Sequence, residues 1–109
     1  MSDSNLARVF GSSPFVLMLD AFIDNIGESY SKKEVQELSG ISKGALFQHW
    51  PKLEQFKLVK VSRAFGNTKL YTLNKESLLV KDILRFEMRM IEETSPKELV
   101  VARARKARQ

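Results

Sequence analysis

Apolar residues recur along the chain in two distinct rhythms, one helical and one of strands, and each run predicts an element. Phe15, Met18, Leu19, Phe22, Ile23 and Ile26 follow one another at spacings of three and four, the stripe of an amphipathic helix. Ser12-Ser13-Pro14 opens that helix, because Ser caps orphan N–H groups and Pro fits the first turn, and Gly27 supplies its stop. Residues 1–11 read as a lead-in whose Leu6, Val9 and Phe10 pack back onto the body. Ser31-Lys32-Lys33-Glu34 is a capping box for a second helix, which has Val35 and Leu38 on its apolar side and Gly40 at its end. Ile41 is the expected buried corner. Ser42 then caps a third helix from Lys43 to about Phe56, with Leu46, Trp50, Leu53 and Phe56 on one face. Pro51 cannot donate to the carbonyl of Phe47, which predicts a kink but not a stop.

Beyond the third helix the period changes from three-to-four to two. Leu58–Arg63 and Lys69–Leu73 alternate in the manner of strands, and Phe65-Gly66-Asn67-Thr68 between them is a turn. The helical rhythm returns with Asn74 as a cap and a long fourth helix to about Glu93, carrying Leu79, Val80, Ile83, Leu84, Phe86, Met90 and Ile91. Ser95-Pro96-Lys97-Glu98 is a second capping box, from which a short helix can start, and Arg103, Arg105, Lys106 and Arg108 make a basic tail. The fold class is therefore mostly α with a small β-hairpin (α+β). One domain spans residues 1–94, and 95–109 is the tail.

Composition narrows the function by exclusion. The chain has no Cys and one His (His49), which removes thiolate zinc sites, disulfides and cysteine nucleophiles. Neither a metal nor a cofactor is expected. No convergent acid–base or nucleophilic set marks an enzyme. No apolar run approaches the roughly 20 residues of a membrane span, and the first five residues lack a signal-peptide pattern, so a soluble, cytoplasmic protein at the nucleoid is expected. The net charge of +5 is unevenly placed: residues 1–30 sum to −3, 31–74 to +5 and 75–109 to +3. Such polarity suits a polyanion, although a solvated lysine-rich surface accounts for charge alone equally well.

Two helices joined by a tight turn containing Gly, then a hairpin, form a helix-turn-helix with a wing. Residues 34–47, Glu34-Val35-Gln36-Glu37-Leu38-Ser39-Gly40-Ile41-Ser42-Lys43-Gly44-Ala45-Leu46-Phe47, carry a resemblance to a known family. It continues through His49-Trp50, Leu53-Glu54, Leu58-Val59 and Leu70-Tyr71-Thr72-Leu73. Over residues 14–93 the chain resembles the archaeal and bacterial winged helix-turn-helix regulators of the ArsR and MarR type, in its joint spacing more than in any single piece. The resemblance implies a dimeric, sequence-specific binder of double-stranded DNA that acts in transcription. Three positions depart from the family pattern: Gln36 replaces a close-contact Ala, Pro51 interrupts the recognition helix, and Lys57 replaces a helix-ending Gly, which places Lys57 in the left-handed region. The Cys and His ligands of the metal-sensing members are missing.

In a helix-turn-helix the second helix presents its N-terminal part to base edges. With Leu46, Trp50 and Leu53 inward, Ser42, Lys43, Gly44, Phe47, Gln48 and Pro51 face out, and Lys52 joins the DNA-facing set. Ser42 and Lys43 suit phosphates, Gly44 allows close backbone approach, Gln48 suits adenine and Phe47 a thymine methyl. Against these stand packing of Phe47 under the wing and plain exposure of Gln48. Arg63, Asn67, Thr68 and Lys69 offer the wing to backbone or minor groove, or make a solvated tip. His49 reads as a structural hydrogen bond or phosphate contact, and Met88 and Met90 as packing filler. The stripe Leu79, Ile83, Phe86 and Met90 is wide enough for a homodimer surface shared with the first helix, or for the core of a monomer. The other readings are an architectural or partition-type DNA binder and a protein-interaction module, with the basic tail as a site for a protein partner.

Overall fold

Five helices and one antiparallel hairpin make up the computed structural model, which describes residues 5–94: α1 (Asn5–Phe10), α2 (Pro14–Ile23), α3 (Lys32–Ser39), α4 (Lys43–Gln55), β1 (Val59–Phe65), β2 (Thr68–Leu73) and α5 (Leu78–Thr94). The second capping box and the basic tail lie outside the described residues. Among those residues no helix is long and apolar enough to cross a membrane.

Local chemistry accounts for most of the boundaries. Ser13 Oγ accepts from Val16 N–H with Pro14 in the first turn of α2. In α3 the capping box closes in both directions: Glu34 N–H donates to Ser31 Oγ at 3.2 Å, and Ser31 N–H to Glu34 Oε1 at 2.8 Å. Gly40 ends α3 at φ +74°, where an L side chain would be strained. Ser42 Oγ caps α4 through Ala45 N–H. The helix runs through Pro51 to Gln55, and Lys57 takes φ 54°, the left-handed position expected of it.

The core is one cluster from nearly all the elements. Leu46, Trp50 and Leu53 of α4, Tyr71 and Leu73 of β2, and Met18, Leu19, Phe22 and Ile23 of α2 are all buried, as the shared phase of their spacings requires. Trp50 sits at its centre, with Tyr71 edge-on at 4.8 Å and Phe22 at 6.2 Å between ring centres. Tyr30 and Tyr71 exchange backbone hydrogen bonds of 2.8 Å, an isolated bridge that ties the α2–α3 loop to the hairpin.

Several expectations need correction. The lead-in is a helix, α1, ended by Gly11 at φ +87°; its Leu6 is buried, whereas Val9 and Phe10 stay largely exposed, with Phe10 stacked on Phe86 at 5.7 Å. Leu38 and Phe56 are exposed and Ile41, in the turn between α3 and α4, is only half-buried; α2 ends at Ile23, so Ile26 falls beyond it and is exposed too. Asn74 does not cap α5. Its amide donates to Lys57 O and its backbone N–H to Leu58 O, so it ends the hairpin, and Ser77 caps α5 through Val80 N–H. The alternation of β1 is broken at Ser62, an extra residue between Val61↔Tyr71 and Arg63↔Leu70.

Asp20 is the buried charge of the fold. It lies under α1, where the Ala7 N–H donates to it. Burial first, then the nearby charges of Asp24 and Glu87, push its carboxyl up to about 7. A carboxyl raised in the folded state holds a proton that the unfolded chain releases near pH 4, so stability falls as pH rises from about 4 to about 7 and stays low above it. Asp20→Asn should therefore melt higher than wild type at pH 8 and lose that pH dependence. Thermal melts at pH 5 and pH 8 check this, and equal pH sensitivity of the two proteins would contradict it.

Candidate nucleic-acid interface

The rotation of α4 about its axis decides which side chains can meet a partner. Burying Leu46, Trp50 and Leu53 turns Gly44, Gln48, Pro51 and Gln55 to the opposite side, and all four are exposed. Lys43 and Phe47 stand on the flank, Phe47 half-exposed at 52%. Gln55 shares the outer face with Gln48 one heptad earlier, a site residue not expected from sequence because base contacts are looked for at the start of the second helix. Ser42 uses an oxygen lone pair in its cap, which leaves its hydroxyl hydrogen uncommitted. His49 is half-buried.

Gly44 has a helical backbone, and a Cβ built on it would meet nothing within 4 Å. Neither φ nor packing within the chain asks for glycine there. A helical Gly lacking an internal reason weakens the helix, so an external one, close approach of another molecule's backbone, becomes worth testing.

The strand register separates two of the sequence-selected cations. Continuing the pairing of Val59↔Leu73, Lys60↔Thr72 and Val61↔Tyr71 would set Arg63 opposite Lys69, where like charges repel. The bulge at Ser62 shifts Arg63 to Leu70 and Ala64 to Lys69. Lys69 shares a face with Tyr71, toward α3, by the alternation of β2 itself, and the bulge moves Arg63 to the other face. The Ser62 hydroxyl donates to Ser29 Oγ at 2.7 Å, which fastens the bulge to the α2–α3 loop. Asn67 and Thr68 are exposed beside Gly66, whose φ of +59° makes the turn.

Lys52 belongs to a different neighbourhood. Its ammonium lies 5.5 Å from the Phe15 ring at the start of α2. Lys32, missed at first because it was read only as part of a capping box, has its ammonium over Trp50, Phe47 and Tyr71. It lines a groove of about 410 Å³ with Ser31, Asn67, Thr68, Lys69 and Tyr71. The missing signal was three-dimensional: three aromatic residues from α4 and β2 converge on a lysine of α3.

Charge partners sharpen the picture. Among the described residues the ion pairs are Lys60–Glu76 and Arg85–Asp82, so Lys32, Lys43, Lys52, Arg63 and Lys69 have no acidic partner there. No group of three or more His, Asp or Glu side chains in those residues could hold a metal ion. Of the stripe on α5, Leu79 and Phe86 are exposed, while Ile83 and Met90 half-bury against the body. Val80 is the single fully buried residue in the described part of that helix. An apolar-lined cavity of about 450 Å³ opens between α1, α2 and α5, with Phe10, Phe15, Ile83 and Phe86 among its walls.

No family model matches the chain, and neither a curated protein nor a solved structure does.

Gly44→Ala should raise stability by about 0.4–1 kcal/mol, since the added methyl meets no atom and the unfolded chain loses freedom. Urea unfolding measures it, and a loss of stability would mean that the glycine serves the fold.

Proposed function

We propose that the chain is a winged helix-turn-helix protein that binds double-stranded DNA as a homodimer and regulates transcription at the nucleoid. In this reading α3 and α4 are the helix-turn-helix, the hairpin is the wing, and α4 enters the major groove. The observation that carries it is the outer face of α4: a helix locked from behind by Trp50, with Gly44 and Gln48 bare in front. Cations without acidic partners flank that face on α3, α4 and the hairpin. Unpaired cations around an exposed helix face are what counterion release rewards, and a Gln at that face can pair with adenine at N6 and N7. No catalytic step is proposed.

Ser42 and Lys43 hold phosphates in this scheme, Gly44 admits the backbone, and Phe47 lies against a thymine methyl. Arg63, Asn67, Thr68 and Lys69 take the wing contacts. Because the bulge sends Arg63 and Lys69 to opposite faces, the wing grips two surfaces instead of one. Lys52 is a backbone contact only if its ammonium leaves the Phe15 ring.

The dimer rests on α5 with help from α2, the first helix of the sequence pattern, and α1 adds the exposed Phe10 beside them. A helix of 17 residues is about 25 Å long, and this one meets the body chiefly through the six residues of α1. Phe10, Leu79 and Phe86 remain exposed along it. A second copy on this face would cover them.

Titration of a preferred duplex and a scrambled duplex at several salt concentrations tests DNA binding. Lys43→Gln, Arg63→Gln and Lys69→Gln should weaken both duplexes alike and flatten the salt slope by about one unit each. Gln48→Ala should cost about 1–3 kcal/mol on the preferred duplex and little on the scrambled one. Wild type that prefers no sequence would mark an architectural binder; no binding at low salt would mark a protein-interaction module. For the dimer, Phe86→Glu should sediment as a folded monomer while wild type sediments as a dimer. A monomer in both cases contradicts the dimer.

A further inference from the structure

The groove between the first turn of α3 and the hairpin has a use beyond the roles given so far. We propose that it binds a phosphate group between the ammonium groups of Lys32 and Lys69. The inference rests on, and deepens, the reading of the chain as a binder of a phosphate polymer. It differs in one respect: the site is complete within one chain, so a free phosphate ligand can also enter it.

Lys32 is seated against three aromatic rings. Its ammonium lies 5.3 Å from the centre of the Trp50 ring, 5.8 Å from Phe47 and 6.0 Å from Tyr71. A cation in the first turn of a helix stands where the helix dipole is unfavourable, and the negative faces of three rings offset this. The rings also restrict a side chain that would otherwise sample many rotamers. A ligand that meets Lys32 therefore has less ordering left to bring about.

Lys69 reaches the same groove from the other side, two residues before Tyr71 on β2 and therefore on the same face. Two cations from different elements thus converge on a polar hollow of about 410 Å³. Ser31 and Thr68 bring hydroxyls, and Asn67 an amide, all able to donate to phosphate oxygens. Neither lysine has an acidic partner among the described residues. The acids nearby are Glu34, whose carboxylate accepts the Ser31 N–H, and Glu54, whose charge is felt at Tyr71. Carbon-lined grooves attract apolar ligands; this one, with its two ammonium groups, selects an anion with several acceptor oxygens.

Trp50 is the one tryptophan of the chain, and it touches Lys32, so its fluorescence reports the site. The experiment titrates the full chain with sodium phosphate and, at matched ionic strength, with sodium chloride, following Trp50 emission. A saturable change with phosphate alone is expected. Lys32→Gln should abolish it, Lys32→Arg should keep it, and Lys69→Gln, on the exposed hairpin, should raise the dissociation constant at least tenfold. A chloride response equal to that of phosphate, or unchanged titrations for both Gln variants, would overturn the proposal.

A second arm uses a short duplex. Weakened duplex and phosphate binding in Lys69→Gln and Lys32→Gln assigns the site to the DNA backbone; weakened phosphate binding alone assigns it to a free phosphate ligand. Wild type that binds phosphate but no duplex keeps the groove and removes the DNA reading. Wild type that binds duplex but not phosphate, with Lys32→Gln binding duplex as well as wild type, removes the groove and keeps the DNA reading.

Discussion

The outward face of α4 takes its direction from Trp50. The indole is 1% exposed, wedged between Phe22 of α2 and Tyr71 of β2, and it allows α4 one rotation about its axis. A turn of α4 by one residue would swing its face through about 100° and trade Gln48 for a buried position. The same ring also seats Lys32, so one side chain positions the helix, the hairpin and the cation between them. Its Nε1–H is buried with no hydrogen-bond partner among the described residues, a cost the packing around it must outweigh.

The two ends of the molecule differ in how firmly they are built. Around Trp50 the core takes several residues each from α2 and α4 and two from β2, whereas α1 and α5 add one each, Leu6 and Val80. At the other end α5 meets α1 over an apolar-lined cavity, with the Glu87 charge acting on the buried Asp20. A buried carboxyl kept neutral only below about 7 is an unusual support for a joint between helices. The charge distribution follows the same division, with acids near α2 and unpaired lysines around α3, α4 and the hairpin.

Much of this was legible in the chain, for reasons that differ by element. The caps at Ser13, Ser31 and Ser42 are local chemistry, and local chemistry is written in consecutive residues. The burial of Leu46, Trp50, Leu53, Tyr71 and Leu73 follows from periodicity. What escaped was set by contacts between distant residues. Helix α1 is six residues long, too short to stand without Leu6 in the core and the Asp20 carboxylate on its Ala7 N–H. Asn74 looked like a cap because Asn caps helices, but the carbonyls of Lys57 and Leu58 claimed it first. The bulge at Ser62 depends on Ser29, 33 residues away. Lys32 became part of a site only when Phe47, Trp50 and Tyr71 came together around it.

Contact of nucleic acid with the outer face of α4 and the hairpin is open to a residue-by-residue test in backbone amide spectra of the labelled protein. On addition of duplex DNA, the largest shifts are expected at Gly44, Gln48, Asn67 and Lys69, with Leu79 and Phe86 unmoved. Shifts confined to α1 and α5, or none at all at low salt, would contradict it.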